Sequence, residues 1–148
     1  MLNRSIKHDK IYMRVCAYTL IPHPTESKPM QDLIDALKAL SDETRLRIIH
    51  VLLKRDCCVC EIMQALDISQ TRASRNLGIL HKNGFLKTSR EGTWIIYAID
   101  RETANQYASS LADLLGRTSF KSEVYRKDIE RLAKAKRIGH GCKVKKEN

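Results

Sequence analysis

The sequence predicts an α+β domain, mostly α, in which helices come first, a two-stranded β-hairpin follows, and an extension flanks each end. Three observations predict it. Apolar residues recur at helical spacing in successive segments between Met30 and Asn83. The tripeptide Asp67-Ile68-Ser69 separates the last two of these segments, a link short enough to be a tight turn. Behind them, "GFLKTSREGTWIIYAID" at 84–100 places two strand-like runs around "REGT". Two helices across a tight turn, followed by a hairpin, make a winged helix-turn-helix.

Each element has its own warrant. "IPHPTESKP" at 21–29 carries three prolines in nine residues and reads as a linker, so residues 1–29 form an N-terminal extension and the domain starts near Met30. Helix one, "MQDLIDALKAL", repeats Leu33, Leu37 and Leu40 on one face with Ile34 beside them. Ser41 offers the N-cap of helix two, Asp42 and Glu43 suit its positive end, and Leu46, Ile49 and Leu53 share a side. Helix three is the short "CVCEIMQAL", ending at Asp67, and Ser69 caps helix four, "QTRASRNLGILHKN". In the hairpin Gly92 occupies the turn, Lys87 and Arg90 are expected at the tip, and Trp94 and Tyr97 are expected to pack within it. "RETANQYASSLADLLG" then spaces Tyr107, Leu111 and Leu114 as a helix, closing a domain of residues 30–118. The basic C-terminal extension, 119–148, contains "FKSEVYRKDIERLAKAKR", an amphipathic helix through Val124, Ile129 and Leu132 that is expected to dock on a dimer.

Charge points to the partner. Of the formal +10, residues 117–148 hold eleven Lys/Arg against four Asp/Glu, and residues 69–92 hold five against Glu91 alone, which leaves the rest near neutral. At about 100° per residue, helix four turns Ala73, Leu77 and Leu80 to one face and Thr71, Arg75, Gly78 and Lys82 to the other, with Arg72 and Ser74 on the flanks. A cationic, hydroxylic helix face beside a basic hairpin suits double-stranded DNA, with Gln70, Thr71, Arg72, Ser74, Arg75, Lys82, Lys87 and Arg90 as the contacting set. An enzyme is not expected: no Gly-rich phosphate loop follows a strand, and none of the five histidines sits in a catalytic motif. The apolar run at 11–21 is broken by Arg14 and too short to span a bilayer, so no membrane segment is expected.

Three of the five cysteines fall within "DCCVCEI", at Cys57, Cys58 and Cys60. A chain of 148 residues builds a core without disulfide staples, and an odd, bunched set of cysteines fits free thiols in the reducing cytoplasm. Metal ligand, redox pair and buried filler all stay open on composition alone.

"LKALSDETRLRIIHVLL", "CVCEIMQALDISQTRASRNLGILHKNGFL" and "REGTWIIYAI" resemble, in order and spacing, the ArsR/SmtB family of metal- and metalloid-responsive repressors over about residues 30–118. The resemblance implies a homodimer formed by helix one and the helix after the wing. It also implies an arsenite site at a Cys-Val-Cys, here Cys58, Val59 and Cys60. Where such sensors carry a further cysteine three residues on, this chain has Met63, and the zinc site of other relatives is missing because "DRETANQYASSLADLL" holds no histidine. Cys57 is expected as the third ligand, because in an undistorted helix it shares a face with Cys60 while Cys58 lies about 200° away; Cys16 or Cys142 is the alternative. Placed at a helix N-terminus, these thiols are expected to ionise readily and, on binding As(III) or Sb(III) as inducer, to unwind the first turn and release the operator. No organic cofactor is implied. Redox or sulfide sensing, or cadmium or lead sensing, on the same fold is the alternative function.

Overall fold

The computed structural model describes residues 28–118 and 120–138. A boundary between Met30 and Gln31 separates two units, and the fold belongs to the second, Gln31–Asn148. It takes in α1 (Lys28–Leu40), whose first three residues precede that boundary, and α2 (Glu43–Leu52). The two are joined by a pair of caps. The Ser41 hydroxyl donates to the Lys38 carbonyl at 2.8 Å and so serves the end of α1, while Asp42 accepts the Arg45 N–H at 3.1 Å and opens α2. The cap is therefore Asp42 and not the predicted Ser41, whose side chain is already committed to the preceding helix.

After α2 the chain enters β1 (Cys57–Cys58), then α3 (Val59–Leu66) and α4 (Gln70–Lys82). Asp67 closes α3 at φ 55°, in the left-handed region, and Ser69 accepts the Arg72 N–H at 3.3 Å, so two residues, Asp67 and Ser69, set the turn between the helices. The wing is β2 (Leu86–Glu91) against β3 (Trp94–Ile99), with Gly92 at φ 60° in the turn, a conformation that glycine adopts without steric cost. Lys87 lies opposite Ala98, near the base, and only Arg90, opposite Ile95, stands near the tip. The sheet has a third strand that the sequence does not predict: β1 pairs antiparallel with β3, Cys57 opposite Tyr97 and Cys58 opposite Ile96.

The core under this sheet is built from Ile48, Ile49 and Val51 of α2, Ile62 and Leu66 of α3, Leu77 and Leu80 of α4, and Phe85. Ala73, Leu77 and Leu80 are all buried, as the periodicity of helix four requires. α5 (Gln106–Arg117) starts at Asn105, whose side chain accepts the N–H groups of Tyr107 and Ala108 and donates to the Asp32 carbonyl of α1. Only the small residues of α1 and α5 are buried on that side, Ala36, Ala39, Ala108 and Ala112, together with Leu40. Leu37 is 50% exposed and Leu114 58%.

α6 (Glu123–Lys134) packs on α2 and α3 of its own chain. Its inward residues are Asp128 and Leu132, with Ile129 partly buried beside them, whereas Val124 is exposed. Asp128 is fully buried and receives two hydrogen bonds from Arg47, both at 2.7 Å, the bidentate geometry in which guanidinium and carboxylate match best. The inward stripe therefore turns on an ion pair and excludes Val124.

Candidate functional site

Two regions carry the predicted chemistry. The first is the cysteine segment. Because Cys57 and Cys58 are strand residues, their side chains leave on opposite faces of the sheet. Cys57 joins the main core and donates through Sγ to the Arg55 carbonyl at 3.4 Å. Cys58 turns the other way, caps α3, and meets Cys60 with the two Sγ atoms 2.9 Å apart. Ile96, Val59 and Trp94 close around this pair, so the two cysteines pack against the wing's inner strand.

Both helical-wheel expectations for the cysteines are thereby corrected. Cys58 and Cys60 come together, and Cys57, which was expected to share a face with Cys60, does not. Cys16 and Cys142 lie outside the described residues. Among the described residues, no group of three or more His, Cys, Asp and Glu is placed to hold a metal ion. The pair thus fits two positions of a trivalent, thiophilic ligand and leaves a third to be supplied.

The expected readiness to ionise is also reversed. Burial pushes the Cys57 and Cys58 thiols up to about 12, and the Cys60 contact adds to it at Cys58. The α3 N-terminus cannot compensate because its charge-stabilising role is taken by Glu61. That carboxylate accepts the Cys58 N–H at 2.8 Å and the Arg55 guanidinium at 2.7 Å. Burial alone would raise Glu61, but these two donors outweigh it and hold the carboxyl below its ordinary range. Glu61 escaped the sequence reading, although a glutamate three residues after an N-cap is a recognisable capping pattern.

The second region is the cationic face. Gln70, Thr71, Arg72, Ser74, Arg75 and Lys82 of α4 are all exposed, as are Lys87 and Arg90 of β2. A Cβ placed on Gly78 would meet nothing within 4 Å, so the middle of the α4 face is open to close approach. Arg72 is the exception in direction: its guanidinium donates to Thr44 Oγ1 at 2.7 Å, which folds the side chain back onto α2. No helix among the described residues is long and apolar enough to cross a membrane.

Comparison with known proteins gives this arrangement its relatives. Residues 42–88 match the family described as bacterial regulatory protein, arsR family. A cadmium resistance transcriptional regulatory protein CadC homolog of Staphylococcus aureus is 37% identical over 82 residues, 55% of this chain and 67% of that protein. The chain belongs to the ArsR family. Arsenic resistance transcriptional regulator ArsR2 of Pseudomonas putida is 44% identical over 69 residues, but the match spans only 60% of that regulator and 46% of this chain. In three dimensions the homodimeric winged helix-turn-helix DNA-binding domain of Mb0332 from Mycobacterium bovis aligns with a TM-score of 0.51 at 30% identity, over 58% of this chain and 76% of that one. These ArsR-family relatives are named as regulators, not as enzymes. The winged helix-turn-helix predicted from the sequence is the fold of the Mb0332 domain.

Proposed function

We propose that the chain is a metalloid-responsive transcriptional repressor that binds operator DNA as a homodimer through α4 and the wing and is released when trivalent arsenic or antimony binds Cys58 and Cys60. One observation carries the reading: two thiols 2.9 Å apart sit at the start of the first helix of the helix-turn-helix and against the wing's inner strand. An occupant of that pair acts on both DNA-facing elements. To the extent that it favours a rearranged segment, it lowers operator affinity by its differential affinity for the two states, typically about 1–3 kcal/mol. The names of the arsenic and cadmium regulators among the relatives support a metal or metalloid inducer.

The protonation state supports the metalloid over a divalent cation. Condensation of arsenous acid with three thiols forms three As–S bonds, releases three waters and leaves no net proton to dispose of. A divalent cation needs thiolates, and so must strip the proton that burial and the Cys60 contact hold on Cys58. The third sulfur is better sought in Cys16 or Cys142 than in Cys57, which reaches the pair only by leaving the core and breaking β1 from β3. The test is operator binding and arsenite-driven release in single variants. Cys58→Ser and Cys60→Ser should bind operator and ignore arsenite, Cys57→Ala should respond as the parent, and one of Cys16→Ser and Cys142→Ser should lose the response. Full response in Cys58→Ser would overturn the assignment, and loss confined to Cys57→Ala would move the third ligand back to the same strand.

The 2.9 Å separation favours one other reading, a peroxide-responsive repressor. There, two thiols would give two electrons and two protons to peroxide, forming one S–S bond and two waters. Release reversed by a thiol reductant in the absence of any metalloid identifies it.

A further inference from the structure

The C-terminal extension reaches both the cysteine segment and the wing. Lys136 is paired by its backbone with Gln64 of α3: the Gln64 amide donates to the Lys136 carbonyl at 2.6 Å and accepts the Lys136 N–H at 3.1 Å. The same amide donates to the Cys60 carbonyl at 2.9 Å. One residue on, Arg137 donates to Glu91 at the end of β2 at 2.6 Å and lies 3.8 Å from Glu61, the carboxylate that holds the Cys58 N–H. Glu91 is also the single acid in the cationic stretch 69–92. The ion pair is formed beside the wing's turn, between groups 46 positions apart. It joins an element outside the winged helix to the part of the hairpin farthest from the core.

We propose that Arg137 is a positioning residue that ties the wing to the inducer site: through Glu61 and Gln64 it follows Cys58 and Cys60, and through Glu91 it moves the hairpin with them. The inference rests on the metalloid reading and names the route by which that site acts. A second route runs through the pairing of β1 with β3, so cutting the brace weakens the response without abolishing it. Arg137 and Glu91 are both exposed, and pairs of this kind carry small energies, so the expected effect is about a 2- to 5-fold fall in the inducer ratio, meaning operator affinity without arsenite divided by affinity with it.

Arg137→Gln and Glu91→Gln in the full chain separate the brace from plain electrostatics. The first removes a positive charge near DNA and should weaken basal binding; the second removes a negative charge and should strengthen it. The brace predicts that both shrink the inducer ratio alike, and that Arg137→Lys, which keeps a cation facing both Glu61 and Glu91, retains more of the ratio than Arg137→Gln. The measurement is fluorescence anisotropy of labelled operator across an arsenite titration, with urea midpoints to confirm that each variant folds. Ratios equal to the parent's in both single variants, beside a parent that releases operator, overturn the brace and leave the metalloid site standing. No release from the parent overturns the metalloid reading and the brace with it.

Discussion

Glu61 shows how one side chain links stability to the candidate site. It occupies an otherwise unpartnered position at the head of α3, where the first N–H groups of a helix have no internal acceptor, and it satisfies the buried Cys58 N–H at 2.8 Å. Glu61→Ala leaves that donor in an apolar setting, with Arg55 deprived of its carboxylate partner, and should cost about 1–3 kcal/mol in a urea unfolding measurement. The pH dependence has a definite sign. A carboxyl held below its ordinary pKa in the fold contributes stability that is present above the unfolded value and lost as pH falls through the folded one. The parent should therefore lose more stability than Glu61→Gln as pH drops from about 5 into the acid range. A steeper acid loss in Glu61→Gln than in the parent would show that the Arg55 and Cys58 donors do not hold the carboxylate.

At the scale of elements, α6 is the addition to the winged helix. Its anchor is the pair between Arg47 and the fully buried Asp128, and Arg47 also donates to the Leu66 carbonyl at 2.9 Å, so α2, α3 and α6 meet at one guanidinium. Removing one partner of a buried pair leaves the other uncompensated, and Asp128→Ala should cost about 3–5 kcal/mol and free α6 for rapid hydrogen exchange. Exchange no faster in α6 than in the parent would mean that apolar contacts alone hold the helix. Little of this docking is legible in the sequence, because Arg47 and Asp128 are 81 positions apart and Asp128 lies outside the stretches that resemble the family. The local elements are legible wherever their cause is local: the spacing of Ala73, Leu77 and Leu80, the Ser69 cap, and the Gly92 turn. β1 is not, since a two-residue strand exists only through its pairing with Ile96 and Tyr97. That hidden strand is why helix geometry separates Cys58 from Cys60 and joins Cys57 to Cys60, the reverse of what the structure shows, while the exposed α4 residues remain readable.

Taken whole, the described chain leaves apolar surface that a monomer would not favour. Ile34 and Leu37 of α1 and Leu114 of α5 stand exposed over a layer of buried alanines, in keeping with a surface made to meet a second copy. Leu37→Glu should give a monomer by analytical ultracentrifugation and lose tight operator binding while its urea midpoint stays near the parent's; a dimer of unchanged affinity would place the interface elsewhere. The chain has one tryptophan, and it packs on the wing against the cluster formed by Cys58, Cys60 and Ile96. All indole emission therefore originates at that cluster, with no second indole to dilute the signal. The protein is in effect its own optical probe, and occupancy of the thiol pair can be followed in unlabelled protein, without DNA, as a change in the intensity and colour of Trp94.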